Sequence, residues 1–294
     1  QNYLVISAST TTSGNKLFVK SLQEKNSELI SIQNDYLSEC SYVYNQGNQF
    51  YLSTNKDAPN FRLVTLDLSN PKKWVDVIPE KSNVLNVSTG GGYFFCNYLV
   101  DAKSQVEQYD LMGNLIYKVP LPGVGSAGGF SAKSDETELY FSFSSYIYPR
   151  TIYKYNIQKG ESVLYEKPKV DFNSEDFISK QIFFESKDGT TIPMFITHKK
   201  GIINEGDNPT ILYGYGGFNI SITPRFSSTN IAWLENGGIY AVPNIRGGGE
   251  YGESWHLAGT KLNKQNVFDD FISAAEYLIK NKYTSEQFLA IRGV

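Results

Sequence analysis

The chain has 294 residues, 40% of them hydrophobic and 19% charged, with 27 Lys+Arg against 30 Asp+Glu and a formal net charge of -3. That length exceeds the ~100–150 residues of a common single domain, so two domains are expected, and the apolar share excludes a disordered polyampholyte. The near-neutral balance argues against a nucleic-acid partner, and no run approaches the ~18–20 apolar residues that a membrane-spanning helix needs.

Aromatic residues make up 14% of the chain, a skew that favours β-structure. The text opens at Gln1 in a strand-like YLVISAS, without Met or a signal-like apolar stretch, as a piece of a longer protein would. Its compartment is therefore left open. A repeat follows. KLFVKSL ending at Leu22, FRLVTLDLSN with Leu68, VEQYDLMGN with Leu111 and TIYKYNIQKG with Ile157 recur every 43 to 46 residues. FYLSTN at Leu52, YFFCNYL at Phe95 and LYFSFSSY at Phe141 keep the same period. Units of about 40–50 residues with four short strands each have the spacing of β-propeller blades. A β-sandwich also has evenly spaced short strands and is the competing architecture. Between three and four units are expected up to about residue 165.

Around residues 165–176 the text turns charged and turn-rich, which marks a domain junction. The expected division is 1–168 and 169–294. Beyond it, ISKQIFFES and TIPMFITHKK flank Lys187-Asp188-Gly189, a hairpin signal. Short apolar strands closed by glycine follow in PTILYGYGG and GGIYAVPNIRGGG. Phe268, Phe271, Ile272, Ala275, Leu278 and Ile279 then predict a helix with one apolar stripe, capped by Asn266. Asp269, Asp270 and Lys280 suit the dipole at its two ends. FLAIRGV reads as a further buried strand, so strands alternating with helices imply an α/β layer with a largely parallel sheet.

Three stretches carry candidate chemistry. The first is the last strand, running into Arg292-Gly293-Val294, whose Gly-Val fits the opening of a G-x-S-x-G nucleophile elbow. An ordinary strand ending in glycine reads the same way. The second is Tyr213-Gly214-Tyr215-Gly216-Gly217-Phe218-Asn219. A tyrosine among glycines at a strand end can donate its O–H to a developing oxyanion, and the same residues suit a tight turn with packing tyrosines. The third, Arg246-Gly247-Gly248-Gly249-Glu250-Tyr251-Gly252, formally contains G-x-G-x-x-G. With no clean helix starting there and no acidic residue on a following strand, it reads as a hydrolase-type glycine loop and not as a dinucleotide site. His198 and His256 read as structural histidines, Cys40 and Cys96 as core thiols. No metal site or cofactor is expected.

ILYGYGGFNISITP, VPNIRGGGEYGESWH, NKQNVFDDFISAAEYLIK and SKDGTTIPMFITHKKGI resemble the prolyl oligopeptidase family of serine peptidases, and the likeness extends through the repeats, including Pro59–Leu68. The resemblance implies a seven-bladed propeller, of which about four blades stand here, followed by the first part of an α/β-hydrolase domain. It implies cleavage of short peptides on the carboxyl side of proline, by a protein acting as a monomer. Tyr215 matches the family's oxyanion-stabilising tyrosine. Phe218 matches an aromatic lining the proline pocket. The nucleophilic serine is expected just beyond Val294 and its Asp and His further on, so the 294 residues alone are expected to be inactive. Val294 stands where the family usually has glycine. A clan relative cleaving acylaminoacyl or dibasic substrates, and a non-enzymatic propeller interaction module, are the alternatives.

Overall fold

The computed structural model describes residues 2–10, 13–202 and 205–293. Val294, and with it the start of the expected elbow, lies outside the described residues. The first half forms four consecutive antiparallel meanders. The first is β1 (Tyr3–Ala8), β2 (Lys16–Ser21) and β3 (Leu29–Gln33); the second is β4 (Cys40–Gln46), β5 (Gln49–Thr54), β6 (Arg62–Asp67) and β7 (Val75–Ile78). The third is β8 (Val84–Gly90), β9 (Tyr93–Val100), β10 (Lys103–Tyr109) and β11 (Leu115–Lys118). The fourth is β12 (Ser126–Gly128), β13 (Glu138–Ser144), β14 (Thr151–Asn156) and β15 (Glu161–Glu166).

Packing identifies these sheets as propeller blades. Along β5, Phe50 and Leu52 face Leu17 and Val19 of the first sheet, whereas Tyr51 between them faces Phe94 of the third. Along β9, Phe94 and Cys96 face the second sheet, while Phe95 joins Phe141 and Tyr155 of the fourth. Each middle sheet is thus buried on both faces by its neighbours, as stacked blades require and as a two-layer sandwich does not. The first sheet has three strands among the described residues instead of the four expected. In repeat register β1 corresponds to β5, so the counterpart of β4 is the strand not found there. Cys40 and Cys96 are free and buried, and burial pushes the Cys40 thiol up to about 12.

The second half contains β16 (Phe177–Glu185), β17 (Thr191–Lys199), β18 (Thr210–Tyr213), β19 (Ile239–Pro243) and β20 (Leu289–Arg292), with helices α1 (Ser228–Glu235), α2 (Glu253–Leu257) and α3 (Gln265–Lys280). Its sheet runs in the order β16-β17-β19-β18-β20. It is mixed, not largely parallel: β18 pairs in parallel with β19 and β20, but the Asp188-Gly189 hairpin makes β16 and β17 antiparallel, and β17 also meets β19 antiparallel. One face packs Ile192, Met194, Leu212 and Ala241 against Val267, Ala274 and Leu278 of α3. The other packs Phe195, Tyr240 and Val242 against Ile231 and Leu234 of α1, and against Ala102 and Tyr146 from the blades.

Four local expectations change. The helix begins with Lys264 at the N-cap, and Asn266 donates its side-chain amide to the Ala258 carbonyl at 2.9 Å instead of capping. Its buried stripe is Val267, Asp270, Ala274 and Leu278, one residue off the expected one, leaving Phe268 and Ile272 exposed. Among the described residues β20 pairs with β18 alone, and Ile291 is exposed and not buried. Two helices appear where none was expected, α1 and the single turn of α2 directly after Gly252.

Candidate active site

The tyrosine loop leaves β18 at its C-terminal end and lies along one face of α3. A Cβ on Gly214 would stand 2.7 Å from the Phe271 ring, and one on Gly216 would stand 2.6 Å from Val267 and 2.8 Å from Ile245. Lys264 completes the stripe, donating from Nζ to the Gly216 carbonyl at 3.0 Å. Lys264, Val267 and Phe271 are spaced i, i+3, i+7, so a single helical face supports the loop from end to end. On the other side, the Gly214 N–H donates to the Arg292 carbonyl at 3.1 Å, which holds the loop beside the end of β20.

The loop is strained. Gly216, Phe218 and Asn219 have φ of 60°, 54° and 57°, in the left-handed region that non-glycine residues visit at a cost. Its far end is fixed at Gly247 and His256: the Asn219 N–H points at the Gly247 carbonyl at 3.2 Å and at His256 Nδ1 at 3.1 Å, and that ring nitrogen stands 2.8 Å from the same carbonyl. Gly247 itself has φ 90°, and a Cβ there would lie 2.5 Å from the Gly216 carbonyl oxygen. Only glycine lets these two backbones approach so closely. The glycine-rich stretch is therefore a packing surface for the tyrosine loop. Within this frame Tyr215 is half-buried and its hydroxyl makes no hydrogen bond to the described residues. Phe218 is 69% exposed.

Beneath the two loops lies an ionic cluster that sequence patterns did not reveal. Arg246 and Asp270 are both buried; the arginine donates from Nε and from its backbone N–H to Asp270 Oδ2, each at 3.0 Å. Its guanidinium also pairs with Asp188 in the hairpin turn, and that hydrogen bonding holds the Asp188 carboxyl well below its usual range. Ser186 Oγ donates to Asp270 at 2.6 Å. The signal available in sequence was the position of Asp270, midway along the apolar stripe. Glu250 is buried next door; its Oε1 accepts from the Ile222 N–H at 2.7 Å and from Asn244 Nδ2 at 3.2 Å. Desolvation pushes its carboxyl up to about 7. Among the described residues, the rings of His198 and His256 hydrogen-bond backbone groups alone, at Lys199 and at Asn219 and Gly247. No group of three metal-binding side chains occurs among the described residues.

Blade-like meanders leading into a mixed α/β sheet, with a glycine-bounded tyrosine loop at the ends of its parallel strands, define the class of propeller proteins with an α/β-hydrolase-type domain. The chain belongs to the prolyl oligopeptidase family: that family's N-terminal β-propeller domain matches residues 1–168, and its peptidase region matches residues 224–294. A prolyl endopeptidase of Elizabethkingia meningoseptica is 54% identical over all of this chain, and one from Dictyostelium discoideum is 40% identical over 94% of it. The chain spans 42% of the length of the first of these relatives. Among solved structures, a prolyl endopeptidase superposes with a TM-score of 0.93 at 40% identity, covering 99% of this chain and 43% of its own. Prolyl oligopeptidase B of Galerina marginata, bound to a 35mer hydrolysis and macrocyclization substrate, gives 0.94 at 34% identity, with 99% and 43% covered.

Proposed function

We propose that the natural protein carrying this chain is a serine endopeptidase that cleaves short peptides after proline, with residues 1–168 as propeller and 169–294 as the first part of its catalytic domain. The observation that supports it is the Gly214–Arg292 hydrogen bond of 3.1 Å, which keeps the Tyr215 loop beside the end of β20. In α/β-hydrolases such a strand leads into the nucleophile elbow. In this reading a serine Oγ attacks the carbonyl carbon of the proline residue and passes its proton to a histidine. The carbonyl oxygen becomes an oxyanion that accepts a hydrogen bond from the Tyr215 hydroxyl. Collapse expels the amine with that proton, and water hydrolyses the acyl-enzyme. Phe218 offers a flat apolar wall for the pyrrolidine ring.

The test compares chromogenic peptides carrying proline or arginine at the cleaved position, using the complete natural protein. Proline should be preferred by at least about tenfold in kcat/KM. Tyr215→Phe should lower kcat by about 10²–10³ while KM changes little. Preference for arginine, or full activity in Tyr215→Phe, would overturn the reading.

A further inference from the structure

We propose that Lys264 is a positioning residue for the oxyanion tyrosine, holding the strained loop that carries Tyr215 by gripping the Gly216 carbonyl. This rests on the oxyanion role proposed for Tyr215. Three observations converge on Lys264. It joins the 3-10 turn Lys261–Asn263 to α3 with helical φ and ψ of -60° and -26°. A cation near the start of a helix opposes the helix dipole. Such a locally unfavourable choice points to another use, and the ammonium is spent on the Gly216 carbonyl at 3.0 Å.

The second observation is what that carbonyl belongs to. The residue directly after Tyr215 has φ 60°, and Phe218 and Asn219 keep φ of 54° and 57°. A backbone in this region persists only where its surroundings over-determine it. The far end has its own clamp in the Gly247 carbonyl with His256. At the near end the side-chain bond comes from Lys264. The third is the helical stripe: Val267 and Phe271 press on Gly216 and Gly214 from the same face of α3, so loss of the lysine frees the loop to slide along an apolar surface.

A charge-assisted hydrogen bond is short and directional, and a misplacement of about 1 Å at an oxyanion donor can cost about a hundredfold in rate. Peptide binding, by contrast, should depend little on Lys264, because it touches the loop from beneath.

The experiment is a double-mutant cycle in the complete natural protein with a proline-containing chromogenic peptide, measuring kcat and KM separately. Lys264→Met should lower kcat at least about tenfold with KM changed less than about threefold, and Lys264→Arg should recover most of that loss. Added to Tyr215→Phe, Lys264→Met should cost less than about a further threefold, because the lysine acts through the tyrosine. Equal kcat in Lys264→Met and wild type, or fully additive losses, would overturn the proposal while leaving the role of Tyr215 intact. A loss in Lys264→Met that Lys264→Arg does not relieve would overturn it as well. Full activity in Tyr215→Phe alone would remove the oxyanion reading and this proposal with it.

Discussion

Glu250 is a buried carboxyl that accepts hydrogen bonds but faces no counter-charge among the described residues. It is 1% exposed, its Oε2 has no partner among the described residues, and burial raises its pKa from 4.5 to about 7. A folded-state pKa above the unfolded one means that stability is greatest below about pH 4.5. It declines as the pH rises through about 7, because the unfolded chain releases a proton that the folded chain retains. The predicted cost between pH 5 and pH 8 is on the order of 2–3 kcal/mol. Glu250→Gln keeps an acceptor for the Ile222 N–H and carries no charge. It should flatten that part of the pH profile and match or exceed wild type at pH 8, as read from urea midpoints of the complete protein at both pH values. Equal pH slopes in the two proteins would show that Glu250 does not retain a proton in the fold.

At the scale of elements, the buried Arg246–Asp270 pair joins the glycine loop to α3, and Asp188 extends it to the β16–β17 hairpin. Removing one partner of a buried pair leaves the other uncompensated, at a cost of about 3–5 kcal/mol. Asp270→Asn should therefore lower the unfolding free energy by an amount near the bottom of that range, since Asp188 still pairs with Arg246 and the amide still accepts one bond. A loss under about 1 kcal/mol would mean that water reaches Arg246. The reach of the sequence is clear in this same region. The blades were legible because Leu22, Leu68, Leu111 and Ile157 repeat at one period, and the tyrosine loop because glycines bracket Tyr215. Helix α1 was not legible: its apolar residues Ile231, Ala232, Trp233 and Leu234 are contiguous, which hides the helical period. The stripe of α3 was displaced because it includes a charged residue, Asp270, whose partner lies in another element. Lys264 escaped notice for the same reason, since its acceptor is a backbone carbonyl 48 residues away, which no side-chain motif encodes.

At the scale of the whole molecule, a tight turn of the third blade is one of the places where blades and α/β sheet meet, beside Tyr146 and Ser144 of the fourth. Asp101 and Ala102 close the β9–β10 hairpin with φ of 47° and 62°, a conformation that usually selects Asn-Gly or Asp-Gly. Ala102 lacks that freedom, but its methyl group is buried against the α/β sheet together with Tyr146 and Phe195. The Asp101 carbonyl accepts from Gln181 Nε2 at 2.7 Å, and its carboxylate accepts from the Tyr251 hydroxyl at 2.8 Å. Tyr251 adjoins Gly252, where a side chain would collide with Asn60 of the second blade. The strain in the turn is thus offset by contacts that exist only while the two parts are docked. Because the Tyr251–Asp101 bond is charge-assisted and partly buried, a double-mutant cycle with Tyr251→Phe and Asp101→Asn should give a coupling of about 1–2 kcal/mol in denaturant unfolding of the complete protein. Each single variant should also speed proteolysis at the junction near residues 167–173, since a weaker latch raises the open population. Additive single losses with unchanged proteolysis would mean that the two parts are held by the apolar contacts around Ala102 and Tyr146, with the hydroxyl contributing nothing to docking.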